Sequence, residues 1–188
     1  MLPVFVVNNF GQFNHLILRM LRDLDIGARM IANSMPPEEV AAGCRGLVLG
    51  GGPDLSRAGN AGAYLDLGLP VLGICLGLHI IATRFGGTVS RGRSGGYGPV
   101  EVEIVEQEEI LNGYPPHITV WASHADEVTG LPGNAIRLAG SSICAYEAIA
   151  VPDLHIYGLQ WHPEVSHTGN GRLVYENFDR VTREYGTS

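Results

Sequence analysis

The chain has 188 residues and a formal net charge of −7, with 45% hydrophobic and 16% charged residues, 26 Gly and 11 Pro. That composition supports a packed core and excludes a disordered tail, a coiled coil or a charged linker. The acidic balance argues against nucleic acid as a partner. All twelve basic residues are Arg, which excludes Schiff-base chemistry and a lysine-dependent phosphate loop.

In chain order, Val4–Val7 reads as a buried strand, and Gln12–Leu24 carries apolar residues at helical spacing. Ala28–Ile31 predicts a second strand, Pro36–Ala42 a helix with Pro at its start, and Gly46–Leu49 a third strand. That strand runs into Gly50-Gly51-Gly52-Pro53-Asp54; a short helix over Asn60–Leu67 and a strand over Pro70–Gly73 follow, leading to a helix over Leu76–Phe85. From Gly87 the texture changes to short strand-like runs at Thr88–Arg91, Val100–Val105, Ile118–Ala122, Ile136–Ala139, Ala145–Ala150 and Ile156–Leu159. The glycine-rich run Gly92–Gly98 reads as a mobile loop. An amphipathic helix over Gly171–Tyr185 ends the pattern. Repeated βα units predict an α/β, flavodoxin-like three-layer domain over residues 1–188: a central, mostly parallel sheet with helices on both faces and an antiparallel extension.

Three cysteines at wide spacings, Cys44, Cys75 and Cys144, form neither a disulfide framework nor a zinc ribbon and fit a reducing cytoplasm. The N-terminal residues lack signal-peptide features, and no apolar run approaches the ~18 residues of a membrane span. These readings predict a soluble cytoplasmic protein with no membrane partner.

The most informative segment is Pro70-Val-Leu-Gly73-Ile-Cys75-Leu-Gly77. An apolar strand meets Gly-x-Cys-x-Gly and a helix begins at once. This is the nucleophile-elbow pattern with sulfur in place of a serine oxygen. The two glycines allow a strained strand-to-helix turn that lifts the sulfur above the carboxyl end of the sheet, at a helix N-terminus that favours a thiolate. Cys44 and Cys144 lack that setting and read as buried structural residues.

A cysteine nucleophile needs a base. Tyr157-Gly-Leu-Gln-Trp161-His162-Pro163-Glu164 places a histidine after a strand, with Pro163 expected to hold the next link extended so that Glu164 reaches the His162 Nδ1. A rival metal site from His162, Glu164 and His167 fits no ligand spacing. Acyl chemistry at Cys75 also needs oxyanion donors. One amide is free on Leu76, and the side-chain-free Gly50–Gly52 loop supplies a place for a second.

Gly-Gly-Pro, then Gly-Ile-Cys-Leu-Gly, then His-Pro-Glu, in this order, resembles the class I (triad) glutamine amidotransferases over essentially the whole chain. More narrowly, Asn8–His15, Trp121–Val128, Ile156–Gln160 and His162–Thr168 resemble the GMP synthetase members, in the archaeal-type arrangement where the glutaminase is a free-standing chain. The resemblance implies that Cys75 attacks the side-chain amide of L-glutamine, aided by His162, which Glu164 orients. It implies an oxyanion hole from the Gly52 and Leu76 amides, and substrate or partner contacts at Ser123 and His124, in a stretch that otherwise reads as a polar loop after a strand. Ammonia would pass to an ATP-pyrophosphatase synthetase subunit converting XMP to GMP. That partner would hold ATP and magnesium, so no cofactor and no metal are expected in this chain. Rival readings are the glutaminase of another amidotransferase, such as anthranilate synthase, or a catalytically weak regulatory subunit.

Two positions depart from the family pattern. A glutamine that contacts substrate is replaced by His79, and a Glu before the tyrosine corresponding to Tyr97 is replaced by Gly96. Together with the glycine-rich run, these predict a weak isolated glutaminase that gains competence when its partner orders the loops.

Overall fold

The computed structural model describes residues 1–186, with positions 94 and 95 described through their backbone alone. The last two residues of the expected domain, Thr187 and Ser188, lie outside the described residues. One nine-stranded sheet organises the chain. Strands β1 (Val4–Asn8), β2 (Ala28–Ala32), β3 (Gly46–Leu49) and β4 (Val71–Ile74) alternate with helices α1 (Asn14–Asp23), α2 (Pro37–Gly43) and α3 (Leu76–Arg84). Then come β5 (Thr88–Ile104), β6 (His117–Gly130), β7 (Ile136–Ser141), β8 (Ala148–Val151), β9 (Ile156–Leu159) and helix α4 (Gly171–Tyr185).

The spatial order is β2-β1-β3-β4-β9-β8-β7-β5-β6. The first five are parallel, and every pairing from β9 to β6 is antiparallel. The expected parallel core with an antiparallel extension is the observed architecture.

Period-two alternation sorts the core into two layers. Val4 and Val6 pack with Ile17 and Leu21 of α1 and with Val174 and Phe178 of α4. Phe5 and Val7, one residue out of phase, pack with Val40 of α2 and with Leu78 and Ile81 of α3 on the other face. Strands β3, β4, β8 and β9 are buried along their whole lengths, as strands covered on both faces must be.

Several elements differ from the sequence-based expectation. Helix α1 begins at Asn14 rather than Gln12, and the expected helix at Asn60–Leu67 shrinks to a 3₁₀ turn at Ala63–Asp66. The larger difference is the hairpin. Thr88–Arg91 and Val100–Val105 belong to a single strand, with Gly92–Gly98 inside it. Its partner β6 likewise runs through Ser123, His124 and Asp126, so the expected polar loop is strand. The ladder is broken between Arg91 and Gly96 and resumes with Gly96 opposite His124 and Tyr97 opposite Ser123. Glycines disfavour strand locally, but a long partner strand supplies pairing that local propensity does not reveal.

Candidate active site

The carboxyl ends of β1, β3, β4 and β9 converge on one edge of the sheet, where open α/β folds place their ligands. Cys75 stands between β4 and α3 with φ +54° and ψ −103°, a strained backbone for a residue with a side chain. Its N–H donates to the Leu159 carbonyl at 2.8 Å, which ties the elbow to β9. The flanking glycines are required sterically. A Cβ at Gly73 would sit 2.5 Å from the Gly77 carbonyl carbon, and one at Gly77 would run into the Leu49 carbonyl oxygen. The sequence-based elbow is therefore present with its strain and its two glycines in the expected roles.

His162 lies just beyond β9, buried, and its Nδ1 is 2.6 Å from the Glu164 Oε1. Pro163 and Glu164 form a turn, not the extended link expected from the sequence. The turn is closed by Thr168, whose hydroxyl donates to the His162 carbonyl at 2.6 Å and accepts from the Trp121 N–H at 3.0 Å. Phe13 meets the imidazole edge-on at 5.1 Å, and the Tyr175 hydroxyl approaches the Glu164 Oε2 at 3.5 Å. His167 instead packs at a tilt against Trp121, its ring 4.9 Å away.

Cys75 and His162 line one cavity. Gly51 lies against both residues: a Cβ there would meet the His162 Cε1 at 3.5 Å and the Cys75 Cβ at 3.9 Å. Burial opposes charge on His162, but the neighbouring Cys75 and the hydrogen-bonded Glu164 carboxylate outweigh it and hold the imidazole well above its ordinary pKa. The pair is thus poised for proton transfer at the sulfur.

The glycine loop after β3 is held by asparagines. Asn9 Nδ2 donates to the Gly50 carbonyl at 3.0 Å, and Asn14 Nδ2 donates to the Gly51 carbonyl at 3.1 Å. Asn33 supports Asn9 at 3.2 Å. With those carbonyls engaged, the Gly52 N–H donates no backbone hydrogen bond among the described residues. Leu76 opens α3, so its N–H has no intrahelical acceptor. Gly52 and Leu76 line the same cavity of about 630 Å³ as Cys75. Both residues expected to supply oxyanion donors therefore share a cavity with the sulfur.

The three expected substrate contacts, His79, Ser123 and His124, also line that cavity, and the Ser123 carbonyl lies 3.8 Å from the Cys75 Sγ. His79 is not simply an open substrate contact, since its Nε2 is 2.8 Å from the Gln160 Oε1. His124 donates from Nδ1 to the Asp126 carbonyl at 2.9 Å, and its buried Nε2 has no partner among the described residues. A Cβ at Gly96 would strike that nitrogen, so the glycine is what lets His124 lie beneath β5. Burial lowers the pKa of both histidines, leaving them neutral at physiological pH.

Sequence reasoning assigned no role to Asn9, Asn14, Thr168 or Gln160. The signal for Gln160 was present: a lone amide closing the apolar run Ile156–Leu159, next to the expected base. Cys44 and Cys144 are buried away from the cavity, as expected of structural thiols, and burial pushes Cys44 up to about 11.

Comparison with known proteins agrees with this geometry. Residues 5–181 match the family described as glutamine amidotransferase class-I. The glutamine-hydrolyzing GMP synthase subunit of Methanoculleus marisnigri is 70% identical over 98% of this chain and 100% of its own length. Its counterpart of the same name from Methanoregula boonei is 64% identical over the same shares. The crystal structure of a candidate GMP synthase subunit from Thermoplasma acidophilum superposes with a TM-score of 0.94 at 36% identity, over 98% of this chain and 96% of that one. A glutamine amidotransferase from Thermotoga maritima, at 21% identity and a TM-score of 0.74, shares the fold over 97% of this chain and 85% of its own. With a cysteine on a strained elbow, a carboxylate-oriented histidine and two free amides at one sheet edge, the chain belongs to the class I glutamine amidotransferases.

Proposed function

We propose that this chain is the glutamine-hydrolysing subunit of a two-subunit GMP synthase, folded as one amidotransferase domain and acting in the cytoplasm. The carrying observation is the convergence on Cys75 of two sides: His162, held by Glu164, lines one cavity with the sulfur, and Gly52 and Leu76 line a second that also contains it. Glutamine enters with its side-chain amide over the sulfur. The Cys75 sulfur bonds to the amide carbon, and the carbonyl oxygen becomes an oxyanion held by the Gly52 and Leu76 N–H groups. His162 delivers its proton to the nitrogen as the C–N bond breaks, and ammonia leaves. Water, deprotonated by His162, then hydrolyses the γ-glutamyl thioester to glutamate and free thiol. Glu164 holds the imidazole ring and its proton throughout.

Ammonia passes to a synthetase subunit that activates XMP. ATP and magnesium belong to that partner, and this chain works with amino-acid side chains and backbone amides alone. The names carried by relatives at 64% and 70% identity support the GMP assignment.

The test is ammonia release from L-glutamine by the purified chain, alone and with a GMP synthetase ATP-pyrophosphatase subunit loaded with ATP, magnesium and XMP. Slow release alone and faster release with the loaded partner, accompanied by GMP formation, is expected. No release in either condition, with a partner that works on free ammonia, overturns the reading.

A further inference from the structure

His79 stands one turn into α3 from Cys75, its N–H 3.3 Å from the Cys75 carbonyl. Its Nε2 is 2.8 Å from the Gln160 Oε1, and the Gln160 Nε2 is 3.7 Å from the Cys75 Sγ. Gln160 is fully buried, and its backbone N–H is fixed to the Glu147 carbonyl at 2.7 Å. An amide has one donor end and one acceptor end, so whatever binds the oxygen decides what the nitrogen faces. A neutral His79 with its proton on Nε2 holds the Gln160 oxygen, which turns the NH₂ toward the sulfur. A hydrogen bond given to the charged form of a group favours that form.

We propose that Gln160 is a catalytic residue that donates to the Cys75 thiolate, and that His79 is a positioning residue that fixes the orientation of the Gln160 amide. His79 thus acts from behind the sulfur, in addition to lining the substrate cavity. The inference rests on the functional reading only in taking Cys75 as the nucleophile.

The other titratable groups lining the cavities around the sulfur are His162, with Glu164 behind it, from the loop after β9, the neutral His124 and Asp126 from β6, and Asp54 from the loop after β3. None of these bonds the Gln160 amide among the described residues, so changes at Gln160 leave them in place.

The test is the pH profile of Cys75 alkylation by iodoacetamide, followed by mass spectrometry on the intact chain, with native circular dichroism as the control for folding. Gln160→Met, which keeps the volume and removes the donor, is expected to raise the alkylation midpoint by about one pH unit, on the order of tenfold less reactive thiolate below it. Gln160→Glu, which puts an acceptor at the sulfur, raises it further. His79→Leu moves it the same way by less, and adds nothing to Gln160→Met in the double variant, since both act through one hydrogen bond. His79→Gln, whose amide can still donate to the Gln160 oxygen, keeps the native midpoint. An unchanged midpoint in folded Gln160→Met or Gln160→Glu overturns the proposal. A shift in His79→Leu that adds fully to that of Gln160→Met overturns the positioning role. Because alkylation needs no glutamine, these outcomes are independent of whether the chain hydrolyses it.

Discussion

The cavity is walled by two halves of one sheet that are built on different rules. In the parallel half, four of the five strands end at the same edge and hand over a single feature each: Asn9 after β1, the glycine loop after β3, Cys75 after β4, His162 after β9. Each is fixed by a few neighbouring residues, such as the two glycines around Cys75 or the Thr168 hydroxyl that closes the His162 turn. In the antiparallel half, β5 and β6 present strand faces, and what reaches the cavity is set by pairing register. Gly96 opposes His124 because residues up to Glu103 and His117 pair as they do. The residues proposed to carry the chemistry thus sit on locally braced chain ends, and the wall opposite rests on long-range pairing. Function should respond differently to damage in the two halves.

The largest expected effect lies in the parallel half. Glu164→Gln keeps the shape of the His162 partner but removes its charge, and kcat for glutamine hydrolysis is expected to fall by about 10²–10⁴ with little change in KM. Equal losses in kcat and in substrate binding would contradict the orienting role.

The antiparallel half offers an intermediate effect, on stability. Glu147, just before β8, is fully buried, receives the Ser141 hydroxyl at 2.7 Å and leaves its Oε2 unpartnered among the described residues. Burial raises its pKa to about 7, with Glu127 adding to the rise and the Ser141 bond opposing it. A carboxyl raised above its unfolded value near 4.5 holds an extra proton in the folded state between those two values, so stability falls as pH climbs from 4.5 to 7. Glu147→Gln is therefore expected to be neutral below pH 4.5 and stabilising above pH 7 by up to ~3 kcal/mol, read from urea midpoints across that range. A gain that is the same at both ends would sink the titration account.

The smallest effect separates the halves most finely. Gly96→Ala forces His124 away from β5. A several-fold rise in KM for glutamine, with kcat nearly unchanged, is expected from steady-state assays. A loss confined to kcat would mean that the hairpin takes part in the chemistry.

The same contrast explains what the sequence made legible. The elbow, the His162–Glu164 pair and the glycine loop were readable because each is a short-range steric or hydrogen-bonding problem stated by adjacent residues: Gly73-x-Cys75-x-Gly77, His162-Pro-Glu164, Gly50-Gly-Gly52. The hairpin was misread at Gly92–Gly98 and Ser123–Asp126, because glycine content and polarity describe local preference while the pairing that makes these residues strand comes from a partner about 30 residues away. The Gln160–His79 contact was invisible for a similar reason. It joins the residue just after β9 to α3 across 81 positions, and only a lone amide closing an apolar run hinted at it. His162 and Glu164 meet as expected, though by a turn that periodicity does not encode.

The central claim is that Cys75, and neither Cys44 nor Cys144, forms the covalent bond to glutamine. Its most direct test is peptide mapping by mass spectrometry after exposure to a diazoketone analogue of glutamine, with excess L-glutamine as competitor. The account predicts one adduct, on Cys75, suppressed by glutamine and absent in Cys75→Ala. An adduct on Cys44 or Cys144, or one that glutamine does not protect, would contradict it.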